Sequence, residues 1–161
     1  MVAGCVTLKQ EVAVGIERLW KATACDDHNL LPKVLPDFFV SAEIVEGNGG
    51  AGTIRKFNFR PAVKVASFIK DHLEVVDHES HLVKYAVIEG GLIGQRLKSQ
   101  MFEVRYEVSG NGGCVVKTKV EYDTLDDKPL SEQELEELKG WLVQVLKAME
   151  GYLLANPSAY A

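Results

Sequence analysis

Apolar and polar residues alternate loosely along residues 5–14, and then the period lengthens. In IERLWKAT, residues 16–23, Ile16, Leu19 and Trp20 fall on one helical face, so the pattern predicts a strand followed by a short helix. A second short helix is predicted in DDHNLLPKVLPD, with Asp26 or Asp27 as its N-cap, Leu30, Leu31, Val34 and Leu35 as its apolar positions and Pro36 as its stop. From 38 to 123 the chain is built of β-rich runs at 38–45, 53–60, 64–76, 81–88, 95–108 and 114–123, separated by the turn clusters GNGGAG, RPA, DHES, EGGLIG and SGNGG. Such short connections leave no room for crossover helices. The six runs therefore form an antiparallel meander, and with the first run they make a seven-stranded sheet. Beyond Asp127 the helical period returns. Ser131 and Glu134 form a capping box, and Leu135, Leu138, Trp141, Leu142, Val145, Leu146, Met149, Tyr152 and Leu153 make an apolar stripe that stops before Pro157. About two dozen residues at 1.5 Å each give a helix of roughly 36 Å, enough to cross the sheet. The fold class is α+β: a curved antiparallel sheet around a long C-terminal helix, with two short helices after the first strand. Long strands at 64–76 and 95–108 bend strongly, so sheet and helix can part at one end and leave a cavity.

Composition narrows the function classes. With 161 residues and 47% hydrophobic content, the chain has material for one full core, and residues 1–161 are expected to form a single domain. A formal net charge of −5 provides no footprint for a polyanion, so nucleic acid is not an expected partner. No apolar run is long enough to span a bilayer, and MVAGCVTLKQEV lacks the basic start and apolar stretch of a leader, so no membrane partner is expected. The three cysteines, Cys5, Cys25 and Cys114, are widely spaced and form no CxxC pair; free thiols in a reducing, cytoplasmic compartment are the expectation.

The order of elements, together with "EGNGGAGTIRK", "VVDHES", "VIEGGLIG" and the closing "YLLANPSAY", closely resembles the plant pathogenesis-related class 10 family, the family of the major birch pollen allergen within the START-like superfamily. The resemblance spans almost the whole chain. It implies a helix-grip fold enclosing a large hydrophobic cavity, and an intracellular carrier related to plant defence or stress. The implied partner is a small hydrophobic or amphiphilic plant metabolite or hormone, of cytokinin, flavonoid or sterol type, with no cofactor. Some members have been reported to hydrolyse RNA.

Several candidate sites compete. Gly47, Gly49, Gly50 and Gly52 spell the start of a nucleotide-binding loop, but Thr53-Ile54 leads into a strand and not the helix such a loop requires, so the glycines read as hairpin geometry. Consecutive amides in such a turn can also form an anion-binding nest. The family's proposed ribonuclease site is matched at Glu150 and Tyr152. By resemblance, however, its lysine position falls on Arg55, with Lys56 adjacent, and its glutamate position on Lys98, which removes the obvious general base. Ribonuclease activity is thus an alternative, as is condensation of an amine with an aldehyde in the manner of norcoclaurine synthases, for which Lys117 is the best-placed lysine by resemblance. Alternation in CVVKTKVEY puts Lys117 opposite the apolar face of Cys114, Val116, Thr118, Val120 and Tyr122. His78 and His81 flank the polar turn DHESH without a third ligand, so no metal is expected. For the cavity, period-two alternation groups Phe57 with Phe59, Ala66 with Phe68, Val83 with Tyr85 and Val87, and Gln100 with Phe102 and Val104. An ordinary packed core would show the same faces; the resemblance selects the cavity. Tyr85 and Gln100 are the expected polar contacts, His28 is expected at the mouth, and Trp141, Leu142 and Met149 form the opposing helical wall.

Overall fold

A computed structural model describes residues 1–161. Strand β1 (Ala3–Val12) leads into helix α1 (Ile16–Leu19), a π-helical segment (Trp20–Ala24) and helix α2 (Asp27–Val34). Strands β2 (Phe39–Glu46), β3 (Ile54–Phe59), β4 (Phe68–Asp77), β5 (Leu82–Gly90), β6 (Leu97–Val108) and β7 (Cys114–Thr124) follow, and helix α3 (Glu132–Ala155) closes the chain. The sheet order is β1-β7-β6-β5-β4-β3-β2 and every pairing is antiparallel, so the meander predicted from the turn clusters is the one observed.

Local chemistry accounts for these boundaries. The predicted helix over 16–23 does not run through as α-helix. Cys25 N–H reaches back to the Trp20 carbonyl at 3.2 Å, and the Thr23 hydroxyl donates to the Leu19 carbonyl at 2.8 Å, widening the turn as such side-chain back-bonding does. The capping box is present in full: Ser131 Oγ accepts from Glu134 N–H at 3.1 Å while the Glu134 carboxylate accepts from Ser131 N–H at 2.9 Å. Strand β4 starts at Phe68, later than the expected 64, because residues 60–67 are occupied by a turn beginning Arg60-Pro61 in which Val63 N–H bonds the Arg60 carbonyl.

The large core lies at one end, where Trp20, Leu30, Phe39, Phe57, Leu73, Tyr106, Cys114 and Leu153 are buried together. Two smaller clusters, Val6–Val87–Phe102–Val120 and Leu97–Tyr122–Leu130, line the rest of the sheet. Helix α3 grips this arrangement unevenly. Leu146, Met149 and Leu153 in its second half are buried, whereas Leu135, Leu138, Trp141 and Leu142 in its first half, and Val145 just past the midpoint, are only half-buried although they belong to the same stripe. The stripe continues past the point where the sheet follows it, and a cavity opens there.

Candidate functional site: a cavity with a buried charged end

The space between sheet and helix measures about 520 Å³, within the range of roughly 300–1,000 Å³ that holds a drug-sized ligand. Of its 37 lining residues 25 are hydrophobic, so apolar burial would dominate any binding there. Its mouth is framed by the irregular 60–67 segment, by Gly91 and Leu92 of the β5–β6 turn, and by Glu134, Glu137 and Leu138 on the first half of α3.

Polar groups gather at the other end. Arg55 on β3 faces inward beside Phe57, and its register partner on β4 is Asp71. Arg55 Nε donates to Asp71 Oδ1 at 2.9 Å and Nη2 to Asp71 Oδ2 at 2.8 Å, a two-pronged pairing that fixes both side chains. Its Nη1 donates at 2.6 Å to Asp27 Oδ1, from the first turn of α2. Arg55 and Asp71 are almost wholly buried, and the Asp27 side chain is 19% exposed. The guanidinium also lies over the rings of Phe57 and Tyr85, 5.2 and 5.4 Å from their centroids. Burial alone would lower the Arg55 pKa, but the two aspartates outweigh it and hold the guanidinium charged. Burial, opposed by Arg55 and reinforced by the Asp71 charge, pushes the Asp27 carboxyl up to about 6. Burial, with Asp71 adding to it, also raises the Tyr85 phenol, so Tyr85 stays a neutral hydroxyl. The Tyr85 ring stacks on Phe102 at 4.8 Å, which leaves its hydroxyl and the Gln100 amide facing the cavity without a protein hydrogen-bond partner.

The structure places Phe57, Phe59, Val83, Tyr85, Val87, Gln100, Phe102, Leu142 and Met149 on the cavity wall, with Trp141 and Val104 beside them. Phe68 is a correction. Counting back from the buried Leu73 and Asp71 puts Ile69 inside and Phe68 outside, where Lys56 Nζ sits 5.0 Å from its ring; the late start of β4 breaks the alternation that linked Phe68 to Ala66. His28 does not line the cavity, since the turn of helix that brings Asp27 inward rotates His28 toward Asp26.

The proposed ribonuclease group is dispersed. Arg55 is tied up inside, Lys56 lies on the outer sheet face, Glu150 accepts the Ala13 N–H at 2.8 Å in a groove against β1, and the Tyr152 ring carries Lys33 Nζ at 5.5 Å. Lys117 lies on the outer face, bonded to Glu107 at 2.8 Å, while its neighbours Val116 and Thr118 are buried. The glycine-rich turn connects the paired residues Glu46 and Ile54, and Gly47, Gly49 and Gly52 adopt positive φ there. Three of its glycine amides are committed internally: Gly49 N–H to Thr53 Oγ1, Gly50 N–H to Asn48 Oδ1, and Gly52 N–H to the Leu73 carbonyl of β4. Those three amides are not free to hold an anion. His78 and His81 pack against Trp20: its Nε1 donates to His78 Nδ1 at 3.0 Å, and its ring meets both imidazoles edge-on.

Comparison with known proteins agrees with this architecture. The family model described as "Pathogenesis-related protein Bet v 1 family" matches residues 1–156. The chain belongs to the Bet v 1 family. Pathogenesis-related protein 1 of Asparagus officinalis is 39% identical over 152 residues, covering 93% of this chain and 94% of that relative. The major pollen allergen Bet v 1-M/N of Betula pendula is 36% identical over 143 residues, covering 89% of each chain. Among solved structures, Ara h 8.0201 superposes with a TM-score of 0.85 at 29% identity, over 96% of this chain and 100% of that one. Norcoclaurine synthase from Thalictrum flavum, in complex with dopamine and hydroxybenzaldehyde, superposes at 0.75 with 25% identity, over 96% of this chain and 88% of that one. Bet v 1 membership thus joins the seven-stranded sheet and long helix to a family of pathogenesis-related proteins and allergens, and no helix here is long and apolar enough to cross a membrane.

Proposed function

We propose that this protein is a carrier that takes up a small amphiphilic ligand, of the cytokinin, flavonoid or sterol class, between α3 and the sheet. The observation that carries this reading is a 520 Å³ apolar cavity in which the Tyr85 hydroxyl and Gln100 amide are left facing the open space. Phe57, Phe59, Val83, Val87, Phe102, Leu142 and Met149 would bury the apolar body of the ligand, while Tyr85 and Gln100 orient its polar groups. Met149 and the half-buried first half of α3 give the wall room to adapt to different shapes. Three free cysteines support a cytoplasmic setting; burial, then the Glu150 charge, pushes the Cys114 thiol up to about 11, so it is an inert core thiol.

Catalytic readings have less support. Condensation chemistry through Lys117 would need that amine inside the cavity, and its side chain pairs with Glu107 on the opposite sheet face. Ribonuclease chemistry would need Glu150 and Tyr152 to act together with Arg55 or Lys56, which occupy separate environments.

A panel of cytokinins, flavonoids and sterols, read by thermal shift and by displacement of an uncharged fluorescent probe, tests the carrier reading. At a hundredfold excess over Kd, a ligand that binds only the folded state stabilises it by about 2.7 kcal/mol. For a domain of this size that raises Tm by roughly 5–10 °C. A panel that neither shifts Tm nor displaces the probe removes the basis for the carrier.

A further inference from the structure

We propose that the charged end of the cavity selects ligands by the charge of their polar group, favouring a protonated amine or another N–H or O–H donor over a carboxylate or sulfonate on the same skeleton. This rests on the reading of the cavity as a ligand site and adds the chemical class that it accepts.

A buried arginine in an apolar pocket would ordinarily attract an anionic head group. Here it is already spent. Three of its N–H groups go to Asp71 and Asp27, and the guanidinium lies over the Phe57 and Tyr85 rings. One cation against two carboxylates leaves this end of the cavity negative whenever both are ionised. The mouth does not offset this sign, because Lys64 stands there with Glu137, and Glu134 beside them is already paired with Arg96 at 3.0 Å. An incoming carboxylate would have to displace a two-pronged ion pair or lie beside an uncompensated negative charge in a partly desolvated site. A donor group meets the opposite situation, since Asp27 is 19% exposed and the Tyr85 hydroxyl and Gln100 carbonyl can both accept.

The groups around Asp27 show that negative charge is already in excess there. Arg55 of β3, Asp71 of β4, Tyr85 of β5 and Tyr106 of β6 face it from the sheet, and Cys25, Asp26, His28 and Tyr160 surround it from the helical side. Its carboxyl is pushed up to about 6, mainly by burial, so the charge preference belongs to neutral pH and weakens as Asp27 takes up its proton.

The test uses three ligands of one skeleton, naphthylethylamine, naphthylethanol and naphthylacetic acid, each displacing the uncharged probe phenylnaphthylamine from the full chain and from Asp27→Asn. The amine is expected to bind at least about tenfold more tightly than the acid at neutral pH, with the alcohol between them, and the gap is expected to fall below about threefold in Asp27→Asn. An acid that binds as well as the amine while the alcohol still displaces the probe overturns the charge inference and leaves the cavity reading standing. A gap undiminished in Asp27→Asn also overturns it, because the preference then comes from the overall acidic surface. If none of the three displaces the probe, the cavity reading fails and the inference falls with it. Should Asp27→Asn not fold, the unaltered chain at a pH of about 5 replaces it: the amine–acid gap must shrink there, and a constant gap refutes the proposal.

Discussion

Replacing Arg55 by leucine removes the one cation that holds Asp71 and Asp27 inside the protein. The guanidinium side chain is 5% exposed and makes three charge-assisted hydrogen bonds of 2.9, 2.8 and 2.6 Å. Leucine replaces the apolar contacts over Phe57 and Tyr85 in part, but leaves two carboxylates without a partner. Breaking a buried pair from one side costs roughly 3–5 kcal/mol. Asp71 is as buried as the arginine, whereas Asp27 is 19% exposed and can recover some hydration from the cavity, so about 3 kcal/mol, the low end, is expected. At roughly 2–4 °C per kcal/mol for a domain of this size, Tm falls by about 6–12 °C. Urea unfolding of the unaltered chain, Arg55→Leu, Asp71→Leu and the double variant forms a cycle that isolates the coupling. The double variant should be more stable than Arg55→Leu alone, because it also removes the wholly buried Asp71 and leaves only the partly hydrated Asp27 without a partner, whereas Asp71→Leu alone keeps the Arg55–Asp27 pair. A loss below about 1 kcal/mol in Arg55→Leu, or a double variant that simply adds the two losses, would refute the account of the triad.

Other consequences follow from the same geometry. The folded chain holds the Asp27 proton up to about pH 6, above the ordinary carboxylate value of 3.8, so it binds more protons than the unfolded chain between those limits; unfolding free energy should fall as pH rises through about 4 to 6. Asp27→Asn should flatten that part of the profile, measured by urea titration at several pH values, and parallel profiles would contradict it. Lys117→Ala should leave both Tm and probe affinity unchanged, since the amine lies on the outer sheet face; weakened probe binding would place it in the site. Any RNA hydrolysis by a purified sample should proceed at the same rate in a Glu150→Ala, Tyr152→Phe variant, and its selective loss there would revive the ribonuclease reading.

The residues differ in how openly they declare their place. β7 alternates throughout and β6 does so from Gln100 onward, past a bulge at Leu97–Ser99, so Gln100 and Phe102 are legible as one face and Lys117 as the other, while Val83, Tyr85 and Val87 share parity on β5. The capping box and stripe of α3 were equally plain, but the stripe does not tell where the sheet stops following the helix; that depends on sheet curvature. Phe68 sits on the outer face against the alternation with Ala66 because residues 60–67 form a turn and not strand, so the period-two pattern does not extend through them. The charged triad is hidden from the sequence for a different reason. Arg55 shares parity with Phe57 and Phe59, and Asp71 with Ile69 and Leu73, so both inward positions were available in the pattern. What a single sequence does not display is that residues 16 and 28 positions apart will compensate one another, and without a partner an inward arginine is an expense that invites a surface assignment.

The central claim, that the space between α3 and the sheet is a ligand site, is tested most directly by filling it. Leu142 lines the cavity on the half-buried part of α3, where a larger ring has room. Isothermal titration of an uncharged apolar probe should give one saturable site per chain in the unaltered protein, and Leu142→Trp should weaken it by at least about tenfold while Tm holds or rises. Equal affinity in the two proteins, with the variant folded, would place the probe on the outer surface and contradict the account.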